Sequence, residues 1–362
     1  MSRYLFICGH DPDAERKVDL HFLARHLVED KHSVSFIIVG SSLIGYLLGK
    51  SSIPPEANQW SKPGHFSKYF WYPLFHPMKV SHPLLRHIFK WLCRFYANFL
   101  PSSAFPPHTE YDEIMVESGA GLALIPLLKA RYPRTRFIYS VSDRLARLNV
   151  PESVYNYESE ALDCFDLIRV PSPLMMNDFG DRRTVRFIPH GIDCALFDTV
   201  FPSPYITPKN AISIGVSLFD AEAIQTLALA YPDWSFHLFG DQAKLDKKIP
   251  NVIEHGETRF EDIIPFIQHA DVGLALYCDA PLADYISHSS LRMIQYSYCR
   301  LPIVTAHFSA RDRAHAFGYE IGNLQELRNA FDQAKMFDRS TITRDNISDW
   351  KDIADTIFTD SH

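Results

Sequence analysis

The sequence predicts two doubly wound α/β domains, each built on a parallel sheet, that face each other across a cleft. With 362 residues the chain is longer than one hydrophobic core usually organises, and 46% apolar residues supply enough side chains for two cores. Short apolar runs typical of buried strands alternate with segments of helical periodicity. The alternation stops at the proline-rich segment 198–210 and then starts again, which indicates a domain boundary.

The first domain is predicted over 1–190. Its first strand is the apolar run "YLFICG", and the segment 13–30 that follows has apolar residues recurring at three and four, as in a helix. Further helices are predicted over 120–131 and 152–164. The strands are predicted at 4–9, 34–40, 113–117, 136–143, 166–172 and 185–193.

The second domain is predicted over 191–345, because the alternation of strands and helices resumes after the proline-rich segment. A terminal helix is predicted over 346–362. In doubly wound sheets ligands bind beyond the carboxyl ends of the strands, so we expect the functional residues in the loops that follow them. The strands are predicted at 211–217, 235–240, 251–256, 272–277 and 301–306.

Composition and charge exclude several classes of protein. The formal net charge of −7 argues against binding nucleic acid through bulk positive charge. The six cysteines form no C-x-x-C pair, so we expect reduced thiols in a cytosolic protein and no metal site. The longest uncharged run, 33–49, is too short to span a bilayer, and the N-terminus has too few apolar residues for a secretory signal.

One interval interrupts the alternation within the first domain. No acidic residue occurs between Glu56 and Glu110, whereas basic and large aromatic residues are interleaved there. This mixture suits a segment at a membrane surface, with cations for anionic headgroups and rings for the acyl boundary. A core helix with solvated basic residues is the alternative, and nucleic-acid binding is a weaker one. The residues predicted to face the membrane are Lys68, Trp71, Lys79, Arg86, Lys90, Trp91 and Arg94.

The stretch "ISHSSLRMIQYSYCRLPIVT", residues 286–305, places a serine pair at the start of an amphipathic helix that precedes a strand. A helix N-terminus has free N–H groups and a partial positive charge, so Ser289, Ser290 and the first turn can hold a phosphate, with Arg292 adding a cation. Gln295, one turn later, is in place to reach a ribose or diphosphate oxygen. The alternative is that Ser289 is only a helix cap and Arg292 a solvated charge.

Several motifs together resemble the GumK-like glucuronosyltransferases of glycosyltransferase family 70. They are "GHDPDAERKVDLHF", "VESGAGLALIPLLKA", "YSVSDRLARLNV", "SIGVSLFDAE" and "YCDAPLADYISHSSLRMIQYSYCRLP", and the resemblance runs in order over about residues 4–330. It implies a GT-B fold of two Rossmann-like domains. It also implies an inverting, metal-independent transfer of glucuronate from UDP-glucuronate to a polyprenyl-diphosphate-linked oligosaccharide in exopolysaccharide synthesis.

The resemblance also assigns the domains. The first would bind the acceptor and lie peripherally on the cytoplasmic face of the inner membrane. The second would bind the nucleotide sugar, and the terminal helix would return to the first. No cofactor and no nucleic acid are expected as partners, only the UDP-sugar, the lipid-linked acceptor and an anionic membrane surface.

The resemblance places the catalytic base at Asp143, since an inverting transfer needs one carboxylate to take the proton of the attacking hydroxyl. Capping of a following helix is the alternative role for this residue. Tyr277, Arg292 and Gln295 match family positions that contact UDP, although the family usually has Lys where this chain has Arg292. Ser217 stands where the family has Met.

Other candidates receive lesser roles. His10 and Asp11 are predicted to line the acceptor side, or to be structural loop residues. Glu117 is predicted to orient acceptor hydroxyls or to cap the next helix. The "DPD" at 11–13 resembles a metal signature of another fold, but Pro12 is an ordinary turn residue. Two alternatives to glucuronate transfer remain, namely a transferase of the same fold that uses a neutral UDP- or GDP-sugar and a catalytically silent membrane-associated scaffold.

Overall fold

The computed structural model describes residues 1–15, 17–54, 56–61, 66–80, 82–106, 109–148 and 150–358. The chain divides into two compact units, Met1–Ala14 with Leu20–Ile188 and Glu15–Asp19 with Pro189–His362. Each unit contains a parallel sheet with helices between its strands, so the prediction of two parallel-sheet α/β domains is confirmed.

Unit 1 contains a seven-stranded sheet in the order β3-β2-β1-β4-β5-β6-β7, and each neighbouring pair is parallel. The sequence analysis missed β3, because its residues "SKYF" lie in the basic, aromatic interval that was assigned to a membrane surface. The strands are β1 Arg3–Cys8, β2 Ser33–Ile38, β3 Ser67–Phe70, β4 Glu113–Glu117, β5 Arg136–Ser140, β6 Leu167–Val170 and β7 Val185–Phe187.

The described part of the first half of the chain contains five α-helices. One of them, α3, is rich in basic and aromatic residues and lies in the segment predicted to contact a membrane. The predicted helix over 120–131 starts as a 3-10 turn at Ala120–Leu124 before it becomes α-helical. The helices are α1 Asp19–Glu29, α2 Leu43–Leu47, α3 Pro83–Cys93, α4 Ile125–Arg131 and α5 Glu152–Ala161.

Unit 2 contains a six-stranded parallel sheet in the order β10-β9-β8-β11-β12-β13, with one strand more than predicted. Its strands are β8 Asn210–Ile214, β9 Ser235–Phe239, β10 Val252–Gly256, β11 Val272–Ala275, β12 Ile303–Ala306 and β13 Ala316–Tyr319. Its helices are α6 Cys194–Asp198, α7 Ala221–Ala230, α8 Phe260–His269, α9 Ile286–Ser289, α10 Leu291–Tyr298, α11 Leu324–Met336 and α12 Trp350–Phe358.

The terminal helix α12 is anchored to the segment that opens unit 2. Ile192 forms a parallel bridge with Asp349, through hydrogen bonds of 3.0 Å to the backbones of Ser348 and Trp350. The Asp349 carboxylate accepts a hydrogen bond of 2.9 Å from the Cys194 N–H. The predicted helix began earlier, at 346, and its last residues, 359–362, lie outside the described chain. Its return to the first domain stays a prediction.

Strand order reverses once in each sheet, between β1 and β4 in unit 1 and between β8 and β11 in unit 2. At such a switch point the connections of the two neighbouring strands leave in opposite directions, and a crevice opens at the carboxyl ends. Of the predicted site residues, His10 comes after β1 and Glu117 is the last residue of β4. Ser217 comes after β8, and Tyr277 comes after β11.

The switch point of unit 2 is held together by Tyr296 on α10. β8 and β11 pair only at Ala211 with Val272 and at Ile212 with Gly273. The Tyr296 hydroxyl accepts from the Ile214 N–H at 3.1 Å and lies 3.1 Å from the Ile212 carbonyl oxygen. Gly273 makes this approach possible, since a Cβ there would lie 2.5 Å from the Tyr296 ring.

Removing this hydroxyl should destabilise the protein. Tyr296→Phe leaves the buried Ile214 N–H without its partner, so we expect the free energy of unfolding in urea to fall by roughly 1–3 kcal/mol. Tyr46→Phe, at a half-exposed position of α2, is the matched control and should change it by less than about 0.5 kcal/mol. Equal stability of the two variants would contradict the role given to Tyr296.

Candidate functional site

The loops after β8 and β11 meet the start of α10 around one arginine. Arg292 Nη2 donates to the Ser217 carbonyl at 3.1 Å, and its guanidinium carbon lies 5.0 Å from the centroid of the Tyr277 ring. The Tyr277 hydroxyl is 2.8 Å from Ser290 Oγ. We call Ser217, Tyr277, Ser290 and Arg292 the switch-point cluster. The structure therefore brings together four of the six residues predicted to bind the donor.

The two serines of the predicted helix start have different positions. Ser290 is the N-cap of α10, and its Oγ accepts from the Met293 N–H at 3.4 Å. Ser289 is the last residue of the preceding short helix α9. The long helix therefore begins one residue after Ser290, at Leu291, and the hydroxyl within the cluster is that of Ser290.

Arg292 is not a solvated surface charge. The residue is only 9% exposed, and its Nη1 is buried without a hydrogen-bond partner among the described residues. Leaving a buried charged donor unsatisfied is costly, so the arrangement favours an anionic ligand that would accept from Nη1. Gln295 lies three residues later on the same helix and is also buried.

Gly215 shapes the floor beneath the guanidinium. It follows β8 directly and has a φ of +79°, in the region that favours glycine. A Cβ at this position would lie 3.4 Å from Arg292 Nη2. This distance is an ordinary van der Waals contact, so the positive φ, and not a lack of space, is what favours glycine in the first loop of unit 2.

Sequence reasoning missed a second cation beside α9, the short helix that precedes α10. Arg313 Nη1 donates to the carbonyl of Ser287 in α9. Burial lowers the pKa of Arg313, while Tyr277 and Asp312 act in the opposite direction, and an arginine keeps its charge in such surroundings. The only signal was its place in the loop after β12, at the same sheet edge as Ser217 and Tyr277.

In unit 1, Asp143 lies in the loop that follows β5. Ser118 Oγ donates to the Asp143 backbone carbonyl at 3.3 Å and is 3.2 Å from the Tyr139 hydroxyl. The next helix, α5, has Pro151 at its N-cap, so the alternative that Asp143 caps it is excluded. The loop carrying the predicted base is thus tied to the carboxyl ends of β4 and β5, where the buried Glu117 ends β4.

A partly buried carboxyl group that sequence reasoning missed lies next to these hydroxyls. The Tyr139 hydroxyl donates to Glu158 Oε1 on α5 at 2.6 Å. Burial raises the pKa of Glu158, although the bond from Tyr139 lowers it. Because Tyr139 donates its hydrogen to Glu158, its oxygen can only accept from Ser118, in competition with the Asp143 carbonyl.

Lys68 is not a membrane-facing residue, which corrects the prediction. Its ammonium group lies 3.0 Å from Asp11 Oδ1 and 2.5 Å from Asp13 Oδ2, and its side chain is 14% exposed. The "DPD" segment is therefore bound by a lysine of β3. His10 lies in the same loop after β1 and is exposed.

The prediction that Trp71 faces a membrane is also wrong, because this residue is buried and stacks on Tyr96 with ring centroids 4.3 Å apart. Lys90 is half-exposed and donates to Glu152 Oε1 at 2.7 Å. Four residues of the prediction do reach the surface, namely Lys79, Arg86, Trp91 and Arg94.

An exposed apolar surface extends beyond the predicted segment. On and after α3 it comprises Ile88, Trp91, Phe95 and Phe99, which are between 42% and 56% exposed. The sequence analysis did not single out α2, where Leu43, Tyr46, Leu47 and Leu48 are exposed. Within the described residues no helix is both long and apolar enough to cross a membrane.

Comparison with known proteins agrees with the resemblance noted from the motifs. Residues 6–171 match the family described as the N-terminal domain of the glucuronosyltransferase GumK. Over 358 residues the chain is 28% identical to the UDP-glucuronate:glycolipid 2-beta-glucuronosyltransferase of Xanthomonas campestris pv. campestris. That alignment covers 98% of this chain and 89% of the relative.

Solved structures of sugar-phosphate synthases share the fold. Sucrose-phosphate synthase from Thermosynechococcus elongatus has a TM-score of 0.67 at 13% identity, covering 99% of this chain and 98% of that chain. A UDP-forming α,α-trehalose-phosphate synthase from Burkholderia xenovorans has a TM-score of 0.66 at 12% identity, covering 99% of each. The chain accordingly has the GT-B fold, its residues 6–171 match the N-terminal domain of the glucuronosyltransferase GumK, and it is similar to a glucuronosyltransferase along nearly its whole length.

Proposed function

We propose that this protein transfers glucuronate from UDP-glucuronate to a polyprenyl-diphosphate-linked oligosaccharide in exopolysaccharide synthesis, with inversion and without a metal. The observation that carries the proposal is the buried Arg292 at the switch point of unit 2, whose Nη1 has no hydrogen-bond partner in the part of the chain that the structure describes. The similarity to the Xanthomonas glucuronosyltransferase, along nearly the whole chain, supports the choice of donor and acceptor.

Unit 2 would bind the diphosphate of the donor. As the bond between sugar and UDP breaks, the leaving diphosphate gathers negative charge. Arg292, the N–H groups at the start of α10 and Arg313 are fixed before the reaction, so they stabilise that charge without rearranging. Two fixed cations supply the role that a divalent metal has in other transferases, which supports metal independence.

Unit 1 would supply the base. Asp143 takes the proton of the acceptor hydroxyl as its oxygen attacks the anomeric carbon from the face opposite to UDP. Ser118 keeps the loop in place by donating to the Asp143 carbonyl. Retaining enzymes of this fold often have two Glu eight residues apart on the donor side, whereas this chain has Ser287 and Gln295, which supports inversion.

The apolar surface formed by α2 and α3 supports a peripheral position on the cytoplasmic face of the inner membrane. Exposed rings at Trp91 and Phe95 can enter the acyl boundary, and Arg86 and Arg94 can contact anionic headgroups. The amide groups of Leu43 and Ile44 donate to the carbonyls of Pro73 and Leu74, which joins α2 to the exposed Leu74 and enlarges the apolar area.

Replacing the central cation should weaken UDP binding. Arg292→Ala removes a buried charged donor worth about 1.5–3 kcal/mol, so we expect the Kd for UDP, measured by calorimetry, to rise roughly 10- to 100-fold. Arg328→Ala, at an exposed position of α11, is the control and should leave the Kd unchanged. Unchanged UDP binding in Arg292→Ala would overturn the donor assignment.

Asp143→Asn should abolish transfer without affecting donor binding. Loss of a general base lowers the rate by roughly 100- to 10,000-fold, whereas the Kd for UDP should stay at the wild-type value because Asp143 lies in unit 1. Asp181→Asn, an exposed carboxylate of the same unit, is the control.

The assay for this variant also tests the donor. It uses UDP-glucuronate and UDP-glucose with a lipid-linked oligosaccharide acceptor, with and without a chelator. We expect chelator-resistant transfer from UDP-glucuronate. Transfer from UDP-glucose alone would show that the proposed donor is wrong. Full activity of Asp143→Asn would show that Asp143 is not the catalytic base.

The membrane position can be tested by vesicle sedimentation. Replacing Trp91 and Phe95 together by Ala removes two half-exposed rings, so we expect affinity for vesicles of anionic lipid to fall roughly 10- to 100-fold. The control replaces Leu229 and Met336, exposed apolar residues of unit 2, by Ala. Equal losses in both variants would show that the surface of α3 has no special role.

A further inference from the structure

Unit 1 contains a cavity of about 470 Å³ beside α3 and the amino-terminal end of α5. One part of its lining is apolar and the other is basic. The apolar residues include Met78, Val80 and Phe89, and the basic residues are Lys79, Arg86 and Lys90. The cavity lies entirely within one unit and none of its lining residues has been assigned to donor binding or proton transfer above.

The helix α3 presents two different faces. Arg86, Phe89, Lys90 and Cys93 recur at intervals of three and four residues, so they form one stripe along the helix, and all four line the cavity. Ile88 and Trp91 lie on another stripe and are exposed. The same helix therefore borders the cavity on one side and contributes to the exposed apolar surface on another.

The charge of the cavity is positive. Within the described residues no ion pair joins Lys79 or Arg86 to a carboxylate. The carboxylate among the lining residues is that of Glu152, and it pairs with Lys90 at 2.7 Å. Both partners of this pair are substantially exposed, so an incoming anion can replace Glu152 at little cost.

The inner part of the cavity is lined by buried residues. Met78 and Cys93 are buried, and burial raises the pKa of the Cys93 thiol, which therefore stays neutral. Phe89 packs against Phe75, with ring centroids 5.7 Å apart. A ligand that fits this lining needs an anionic group attached directly to a hydrocarbon chain.

We propose that this cavity binds the diphosphate and the first isoprene units of the lipid carrier of the acceptor. The inference rests on the proposed function, because that function supplies a lipid diphosphate as substrate. Lys79, Arg86 and Lys90 would contact the diphosphate, and Met78, Val80 and Phe89 would cover the first isoprene units. The rest of the chain would continue along the exposed apolar surface of α2 and α3 into the bilayer.

The lining distinguishes this ligand from simpler ones. A sugar phosphate or inorganic diphosphate would leave the apolar side of the cavity in contact with water. A neutral lipid would leave Lys79 and Arg86 without an anion, since within the described chain only Lys90 of the three cations is paired, with Glu152. An amphiphile with its diphosphate next to the hydrocarbon satisfies both parts, so it should bind better than either fragment alone.

Calorimetry with farnesyl diphosphate, a soluble prenyl diphosphate, tests the inference in the presence of saturating UDP, which occupies the donor site. We expect farnesyl diphosphate to bind more tightly than inorganic diphosphate or farnesol. The double variant Lys79→Gln/Arg86→Gln should bind it about 25-fold more weakly, at about fivefold for each cation. Arg134→Gln/Arg183→Gln, two exposed arginines of the same unit, is the matched control and should bind it like wild type.

A variant of opposite sign excludes a general loss of structure. Glu152→Gln removes the competing carboxylate and frees Lys90, so it should bind farnesyl diphosphate about fivefold more tightly. An unfolded or distorted protein would not gain affinity. Weaker binding in Glu152→Gln, equal losses in the control pair, or equal affinity for farnesyl diphosphate and inorganic diphosphate would each overturn the inference.

The two proposals fail separately in this design. If the wild-type protein transfers glucuronate to a lipid-linked acceptor but does not bind farnesyl diphosphate, the cavity assignment is wrong and the proposed function stands. If it binds farnesyl diphosphate with the expected effects of the variants but transfers no sugar from any donor, the proposed function is wrong and the cavity remains a site for a lipid diphosphate.

Discussion

The separation of β8 from β11 is the constraint on which unit 2 depends. The two strands pair over only two residues, and beyond that point their backbone groups need other partners. The hydroxyl of Tyr296 supplies them from α10. Arg292 lies one turn earlier on the same helix, so the contact that satisfies the sheet also fixes the start of α10 at the opening. The fold and the candidate donor site are therefore set by one helix.

Burying Arg292 is tolerable because part of its charge is compensated within the protein. The Tyr277 ring faces the guanidinium, and the Ser217 carbonyl accepts from Nη2. A diphosphate oxygen would accept the hydrogen bond that Nη1 does not make within the described residues. Arginine can donate to the Ser217 carbonyl through one nitrogen and to a ligand through another, because its guanidinium is a planar fork. The ammonium group of a lysine is a compact point charge and lacks this geometry.

Local patterns predicted the architecture but not which way individual side chains face. Apolar runs followed by glycine or a polar turn predicted the strands bordering both switch points, and the serines before α10 predicted a helix start there. Trp71 and Lys68 were misplaced because composition reports only which residues occur together. In the structure Lys68, on β3, points towards Asp11, and Trp71, just after β3, lies in the core. Arg313 and the cavity beside α3 depend on contacts between distant segments, for which a single sequence has no periodic signal.

The bridge between Ile192 and Asp349 joins the two ends of Pro189–His362, the stretch that makes up most of unit 2. Its opening segment and its last helix share backbone hydrogen bonds, and Gly191 admits the backbone of Trp350 so closely that a Cβ would lie 2.9 Å from the Trp350 nitrogen. An exchange of donor halves between related enzymes must therefore transplant both ends together. A chimera with a single junction near residue 190 keeps both ends from one parent, whereas a second junction before residue 349 would combine an opening segment from one parent with a terminal helix from the other.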